Sequence, residues 1–278
     1  SLVGSEMCIR DRCNMANTQN TEVAEKKSTA VAAFDDSLLS AGTGLEEATT
    51  EDYAIPFIRL LQPMSPQLNK NSGNYIEGAS AGDLINTVSG EVYDGNKGIS
   101  VVPCAYSKKY IEWIPREKGG GLVDATHGTS VLKSCKRDEQ TRRYYLQNGN
   151  EIVETAQFFV LVTEPEPQQA LITMTSTQLG VARKWLTMLR MARVKNSAGT
   201  SVQAPMFAFT YKLGTSSMSN DKGTWNVFTV NQEGQTDLDT AAIAKEFMSS
   251  ARQGDVEVKH EQDGTVTKTN GEAEEAPF

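Results

Sequence analysis

ALITMTSTQLGVARKWLTMLRMARVKN, residues 170–196, decides the fold. It opens with the alternating apolar residues of a strand, Ala170 to Thr175. Thr175 followed three residues later by Gln178 has the spacing of a capping box, and from there the apolar period changes from two to 3.6. The spacing predicts a helix to about Val194. Leu179, Ala182, Leu186 and Leu189, flanked by Val181, Trp185, Met188 and Ala192, form a broad buried stripe that takes Trp185 into the core. Arg183, Lys184, Thr187 and Val194 point away from that stripe, and Arg190 lies at its border. Arg193 and Lys195 suit the negative pole of the helix.

This helix belongs to a longer segment, Pro167 to Asn220, with six basic residues and no aspartate or glutamate: Arg183, Lys184, Arg190, Arg193, Lys195 and Lys212. Strands lie on both sides of it. Upstream, Ile99 to Ile114 is a long extended run, and Pro103 inside it marks a sheet edge or a bulge. By the period of two, Tyr106, Lys108 and Tyr110 share one face of that run while Lys109, Ile111 and Trp113 share the other. A short strand at Asp83 to Thr87 and a turn at Asp94-Gly95-Asn96-Lys97-Gly98 precede it. Gly119-Gly120-Gly121 opens a polar segment that ends in Lys136, Arg137, Arg142, Arg143, Tyr144 and Tyr145, and Asn148-Gly149 signals a hairpin. Val153 to Thr163 is the next strand, joined to Ala170 to Thr175 by a Glu-Pro-Glu-Pro turn. Downstream, strands at Pro205 to Leu213 and Thr224 to Asn231 flank a Ser-Asn-Asp-Lys-Gly turn. Asp237 to Arg252 reads as a second amphipathic helix with Ala242, Ile243, Phe247 and Met248 as its apolar contacts.

Strands, a helix, then two strands is the order of a small Greek-key barrel with its helix between the third and fourth strands, the OB-fold order. The expected fold is mainly β with one or two helices: an OB-fold-like Greek-key barrel with flexible acidic ends.

The formal charge of −8 divides unevenly along 278 residues. Residues 15–58 carry −6, residues 253–278 carry −5, and residues 59–252 carry +3. A mildly basic body between acidic arms points to a polyanionic ligand. Residues 1–14, with SLVGSEMCIRDR at their head, resemble a translated sequencing adapter, which sets the expected natural start at Met15. Residues 15–52 and 253–278 have too few large apolar residues to offset ordering entropy and read as disordered acidic arms around a folded domain at 53–252.

Cysteines 8, 13, 104 and 135 form no C-x-x-C pair and only His127 and His260 accompany them, so neither a zinc site nor a disulfide framework is expected. No apolar run reaches the ~18 residues of a membrane span. The expectation is a soluble cytoplasmic protein, in the host cytoplasm if viral, without cofactor, metal or membrane partner. An enzyme is not expected, because phosphate-loop, hydrolase-elbow and zincin motifs are missing from the sequence. His127, beside Gly128, is expected in a polar loop.

The C-terminus reads Gly-Glu-Ala-Glu-Glu-Ala-Pro-Phe over residues 271–278. Glu274-Glu275-Ala276-Pro277-Phe278 resembles the acidic tip of bacterial and bacteriophage single-stranded DNA-binding proteins, with glutamates in place of an aspartate run and Ala276 in place of the usual isoleucine. The resemblance implies non-sequence-specific binding of single-stranded DNA in replication and recombination. It also implies a partner-binding tip: an acidic cluster at Glu272, Glu274 and Glu275, and an apolar anchor at Pro277 and Phe278, that recruits replication or recombination proteins. A homo-oligomer is compatible with this reading.

Single-strand binding needs cations along the phosphates and flat side chains for the bases. The candidates are Tyr106, Lys108, Tyr110 and Trp113 on one strand and Arg142, Arg143, Tyr144 and Tyr145 before the hairpin turn, with Lys184, Arg190, Arg193, Lys195 and Lys212 alongside. Against them stands the plainer reading that the helix cations are a solvated face. Phe207, Phe209 and Tyr211 read as barrel core before base platform. A strand-annealing recombination protein and a virion structural or scaffolding protein are the competing functions. The first has no need of a Pro-Phe terminus, and the second has no need of a basic-aromatic groove.

Overall fold

The computed structural model describes residues 44–48, 53–221, 223–254, 256 and 258. The adapter-like residues, nearly all of both acidic arms and all five partner-binding candidates, Glu272, Glu274, Glu275, Pro277 and Phe278, lie outside the described residues. Contacts divide the chain after Glu47, and residues 44–47 form an exposed bend. Every described strand and helix belongs to the second unit.

Three short strands, β1 (Ile58–Leu60), β2 (Leu84–Asn86) and β3 (Val92–Tyr93), make a small antiparallel sheet. The main sheet contains β4 (Ile99–Trp113), β5 (Leu122–His127), β6 (Lys136–Arg137), β7 (Tyr144–Tyr145), β8 (Glu151–Val162), β9 (Gln168–Thr175), β12 (Phe209–Asn220) and β13 (Gly223–Gln235). Helix α1 (Leu179–Met191) follows β9, the hairpin β10 (Arg193–Lys195) and β11 (Ser201–Gln203) follows α1, and α2 (Leu238–Gln253) closes the described chain.

Five long strands carry the architecture, in the spatial order β13-β12-β4-β8-β9. With α1 between β9 and β12, the third and fourth of them in chain order, this is a curled half-barrel of OB-like order. Among the described residues no ladder joins β9 to β13, so the barrel has a seam. The chain around β1 spans it: Phe57 bridges Leu171 of β9, and Gln62 bonds to the backbone of Asn226 in β13.

β8 is apolar on both faces because both faces are covered. On the inner face Phe158, Val160 and Val162 join Val101, Ile172, Met174, Tyr211 and Leu213 around Trp185 of α1. The indole stacks on Phe158 with centroids 4.3 Å apart and meets Tyr211 at 5.9 Å. Trp185 and Tyr211 are therefore core, as expected. On the outer face Val102, Cys104, Phe159, Leu161 and Leu171 receive Ala244 and Phe247 of α2, and Val256 and Val258 pack there too. A bulge between Pro103 and Ala105 lets β4 serve both cores: Val102, Cys104 and Ala105 face outward, and Tyr106 turns back inward.

Several local expectations need correction. Thr175 makes no side-chain cap bond, because it ends β9 in register with Thr155, and the chain enters α1 through a 3₁₀ turn, Ser176–Gln178. The helix stops at Met191, not near Val194. Asn196 Oδ1 accepts from the amides of Ala198 and Thr200, and this turn folds residues 193–203 into a hairpin. In α2, Asp237 caps the amide of Thr240, and the resulting phase buries Thr240, Ala244 and Phe247 while Ala242 is exposed and Ile243 is 40% exposed. β12 runs past Leu213 to Asn220 as a Ser- and Thr-rich ribbon with the start of β13, and β13 runs past Asn231 to Gln235 against Phe209 and Thr210. His127 lies not in a loop but on β5, opposite Tyr110.

Candidate nucleic-acid interface

The β4 candidates separate by burial. Tyr106 is half-buried against Phe158, with ring centroids 5.1 Å apart, and burial raises its hydroxyl pKa. Lys108 is exposed, but its Nζ lies 2.6 Å from Glu154 and 5.4 Å from the centroid of the Tyr110 ring. The hydrogen bond to Glu154 raises the lysine pKa. Tyr110 itself is 2% exposed, which leaves it no face to offer a base. These three share one face of the strand as expected, yet the lysine charge is met by a carboxylate and the second ring is enclosed.

At the far end of β4 the register sets two rows across the sheet. Lys136, Tyr145, Glu151 and Trp113 form one, and Arg137, Tyr144, Ile152 and Glu112 form the other. Side chains in a row share a face, so Tyr145 and Trp113 flank Glu151 with Lys136 beyond. Tyr144, Tyr145 and Trp113 are half-buried, while Lys136, Arg137, Arg142 and Arg143 are exposed. Arg137 lies over Tyr144 at 5.5 Å, and Arg143 Nη1 is 3.1 Å from Glu151 Oε2. Arg142 takes φ 59 in the turn that Asp138 organises by accepting from the amides of Gln140 and Thr141.

Glu112 holds this end of the sheet together. Its buried carboxylate accepts from Asn150 Nδ2 at 2.6 Å and Asn148 Nδ2 at 3.2 Å, and lies 2.9 Å from His127 Nε2. Asn150, then His127 and Asn148, hold Glu112 below the usual carboxylate range against the opposing effect of burial. One side chain on β4 thereby fixes both β5 and the Asn148-Gly149-Asn150 turn that aims β7.

The helix candidates form a second group. Lys184 and Arg190, with Arg183, stand on the exposed side of α1, and Arg193 and Lys195 stand exposed two residues apart on β10. Arg193 Nη1 donates to the carbonyls of Arg190 and Ala192, closing the C-terminus of the helix. None of these five cations has a carboxylate partner among the described residues. Lys212 stands apart. It lies 3.8 Å from Glu233, donates to Ser100 Oγ and pairs in register with the start of β4, up to roughly 40 Å along that strand from Trp113 at ~3.3 Å per residue. The thirteen candidates thus fall into an aromatic-basic arm, a cationic helix face without carboxylate partners among the described residues, two neutralised lysines, and two rings, Tyr106 and Tyr110, taken up by packing.

Sequence reasoning did not find Glu112 or Gln62 as organising residues, because their partners lie far away in the chain and no local motif announces them. Among the described residues no helix is long and apolar enough to cross a membrane.

The molecule is an open OB-like half-barrel carrying two cationic clusters, one of them interleaved with aromatic rings. A family profile described as Pam3 phage gp34-like protein matches residues 24–257, and the chain belongs to that bacteriophage family. No curated protein and no solved structure matches the chain significantly.

Proposed function

We propose that the protein binds single-stranded DNA without sequence preference in phage DNA replication and recombination. The observation that carries this reading is the charge on α1 and β10 that meets no carboxylate among the described residues: Arg183, Lys184, Arg190, Arg193 and Lys195 lie exposed in a segment without a single acid. A face of that kind is stabilised by a polyanion that releases its counterions on binding. The arm supplies what phosphate contacts lack, namely the rings of Trp113 and Tyr145 with Lys136 in one row and of Tyr144 with Arg137 in the other. In this reading Glu272, Glu274, Glu275, Pro277 and Phe278 recruit partner proteins, with the ring entering an apolar pocket and the acids meeting basic residues around it.

The test is a fluorescence titration with oligothymidine. If five phosphates are neutralised, a slope of about −0.7 per phosphate predicts that raising salt from about 50 to about 200 mM weakens binding on the order of a hundredfold. No binding at the lower salt rejects the reading. Deletion of Glu272 to Phe278 is expected to abolish pull-down of partner proteins, and an unchanged pull-down removes the tip from the mechanism.

A further inference from the structure

At one end of the seam between β9 and β13, where β9 runs into the turn before α1, lies a cleft of about 390 Å³. Its wall contains Gln62, Met64, Ser176, Gln178, Trp225 and Asn226, and among the described residues no charged side chain lines it. Its wall mixes amides and hydroxyls with apolar atoms, so it suits a ligand that is flat and polar at its edge. The Gln62 amide is used at both ends by the backbone of Asn226, so it builds the wall. Two other groups are unused: Trp225 Nε1, a donor, and Gln178 Oε1, an acceptor, are covered and have no hydrogen-bond partner among the described residues. Leaving such groups unpaired destabilises the fold. Ser176, at the edge of the same cleft, is held at φ 50, a conformation uncommon for a non-glycine residue.

We infer that this cleft takes a nucleobase. A base offers what the wall lacks: an edge that presents acceptors and donors side by side, and a flat face for an indole. Insertion beside Trp225 parts the covering side chains and gives Trp225 Nε1 and Gln178 Oε1 their missing partners. The cleft therefore receives a base, whichever it is, while the cationic face of α1 and β10 holds the phosphates. This inference rests on the single-strand reading above and adds to it a base-dependent contribution that is insensitive to salt.

The experiment compares oligothymidine with an abasic deoxyribose-phosphate oligomer of equal length, using the full chain as wild type, Trp225→Phe and Gln178→Ala. The wild type is expected to prefer oligothymidine by roughly fivefold or more, the lower end of one stacked base. Each variant is expected to lose at least about half of that preference while the salt slope stays constant. Gln178→Ala preserves the test if Trp225→Phe fails to fold. If both variants keep the wild-type preference, the cleft is not a base site and the polymer reading stands. If the wild type binds neither oligomer at low salt, the polymer reading falls and this inference falls with it.

Discussion

Gln62 and Asn226 are joined by two hydrogen bonds that imitate one rung of a β-ladder: Gln62 Nε2 donates to the carbonyl of Asn226, and the amide of Asn226 donates to Gln62 Oε1, both at 2.9 Å. The open lip of β13 is thereby paired by a side chain where a neighbouring strand is missing, which blunts an exposed edge. Gln62→Ala leaves a buried backbone donor and acceptor without partners and is expected to cost about 1–3 kcal/mol. At about 2–4 °C per kcal/mol for a domain of this size, thermal unfolding followed by circular dichroism should show a clear drop in Tm. An unchanged Tm would mean that water satisfies Asn226 equally well.

Charge pairing separates the lysines and arginines by consequence. Lys184 and Arg190 have no carboxylate partner among the described residues, while Lys108 is bound to Glu154 at 2.6 Å. The double substitution Lys184→Ala with Arg190→Ala is expected to reduce the salt slope of single-strand binding by about 1.4, at about 0.7 for each phosphate no longer neutralised. Lys108→Ala should leave that slope close to wild type. Equal effects from both would show that pairing with Glu154 does not withdraw Lys108 from the ligand.

The barrel is legible in the sequence where a residue's partner is dictated by period. Trp185 on the apolar side of its helix and Tyr211 on an alternating strand both fall in the core, and Pro103 marks a real bulge. The helix C-terminus is not legible in this way, because the Asn196 turn outcompetes one more helical turn, a contest that local propensity does not decide. The site is less legible still. Gln62 and Asn226 are 164 residues apart, and Glu112 gathers side chains from positions 127, 148 and 150. Such contacts follow from sheet register, which a one-dimensional pattern leaves open. Tyr110 shows the same limit: the period of two assigns its face, but its enclosure depends on the neighbouring strands and on Lys108.

Glu112 links the arm to acidity. Its folded pKa lies below the unfolded value, so its contribution is fully present above the unfolded pKa and is lost as pH falls through the folded one. Stability should therefore decline on acidification from about pH 4.3 downward. Asp124, Asp138 and Asp237 are also held low, chiefly by Thr126, Thr141 and Thr240 respectively, so only the difference between wild type and Glu112→Gln belongs to Glu112. That difference is expected to shrink as pH falls, read from urea midpoints across the acid range. Parallel curves for the two proteins would assign the acid sensitivity to the aspartates alone.

Gly95 is a point where three chain segments meet without spare room. Its amide donates to Asp83 Oδ1, its carbonyl accepts from the amide of Thr215, and Thr215 Oγ1 donates to the carbonyl of Gly82 at 2.7 Å. A Cβ at position 95 would collide with the Gly82 carbonyl oxygen and with Thr215 Oγ1, and the first of these is backbone that cannot swing aside. Gly95→Ala therefore has to separate the β2–β3 sheet from β12, and is expected to destabilise by at least about 3 kcal/mol. Gly73→Ala is the control, because a Cβ there meets nothing within 4 Å. Urea unfolding of the two variants beside the wild type should place Gly73→Ala within about 0.5 kcal/mol and Gly95→Ala far below. If Gly95→Ala unfolds with the wild type, the junction between the small sheet and the barrel is not fixed at Gly95.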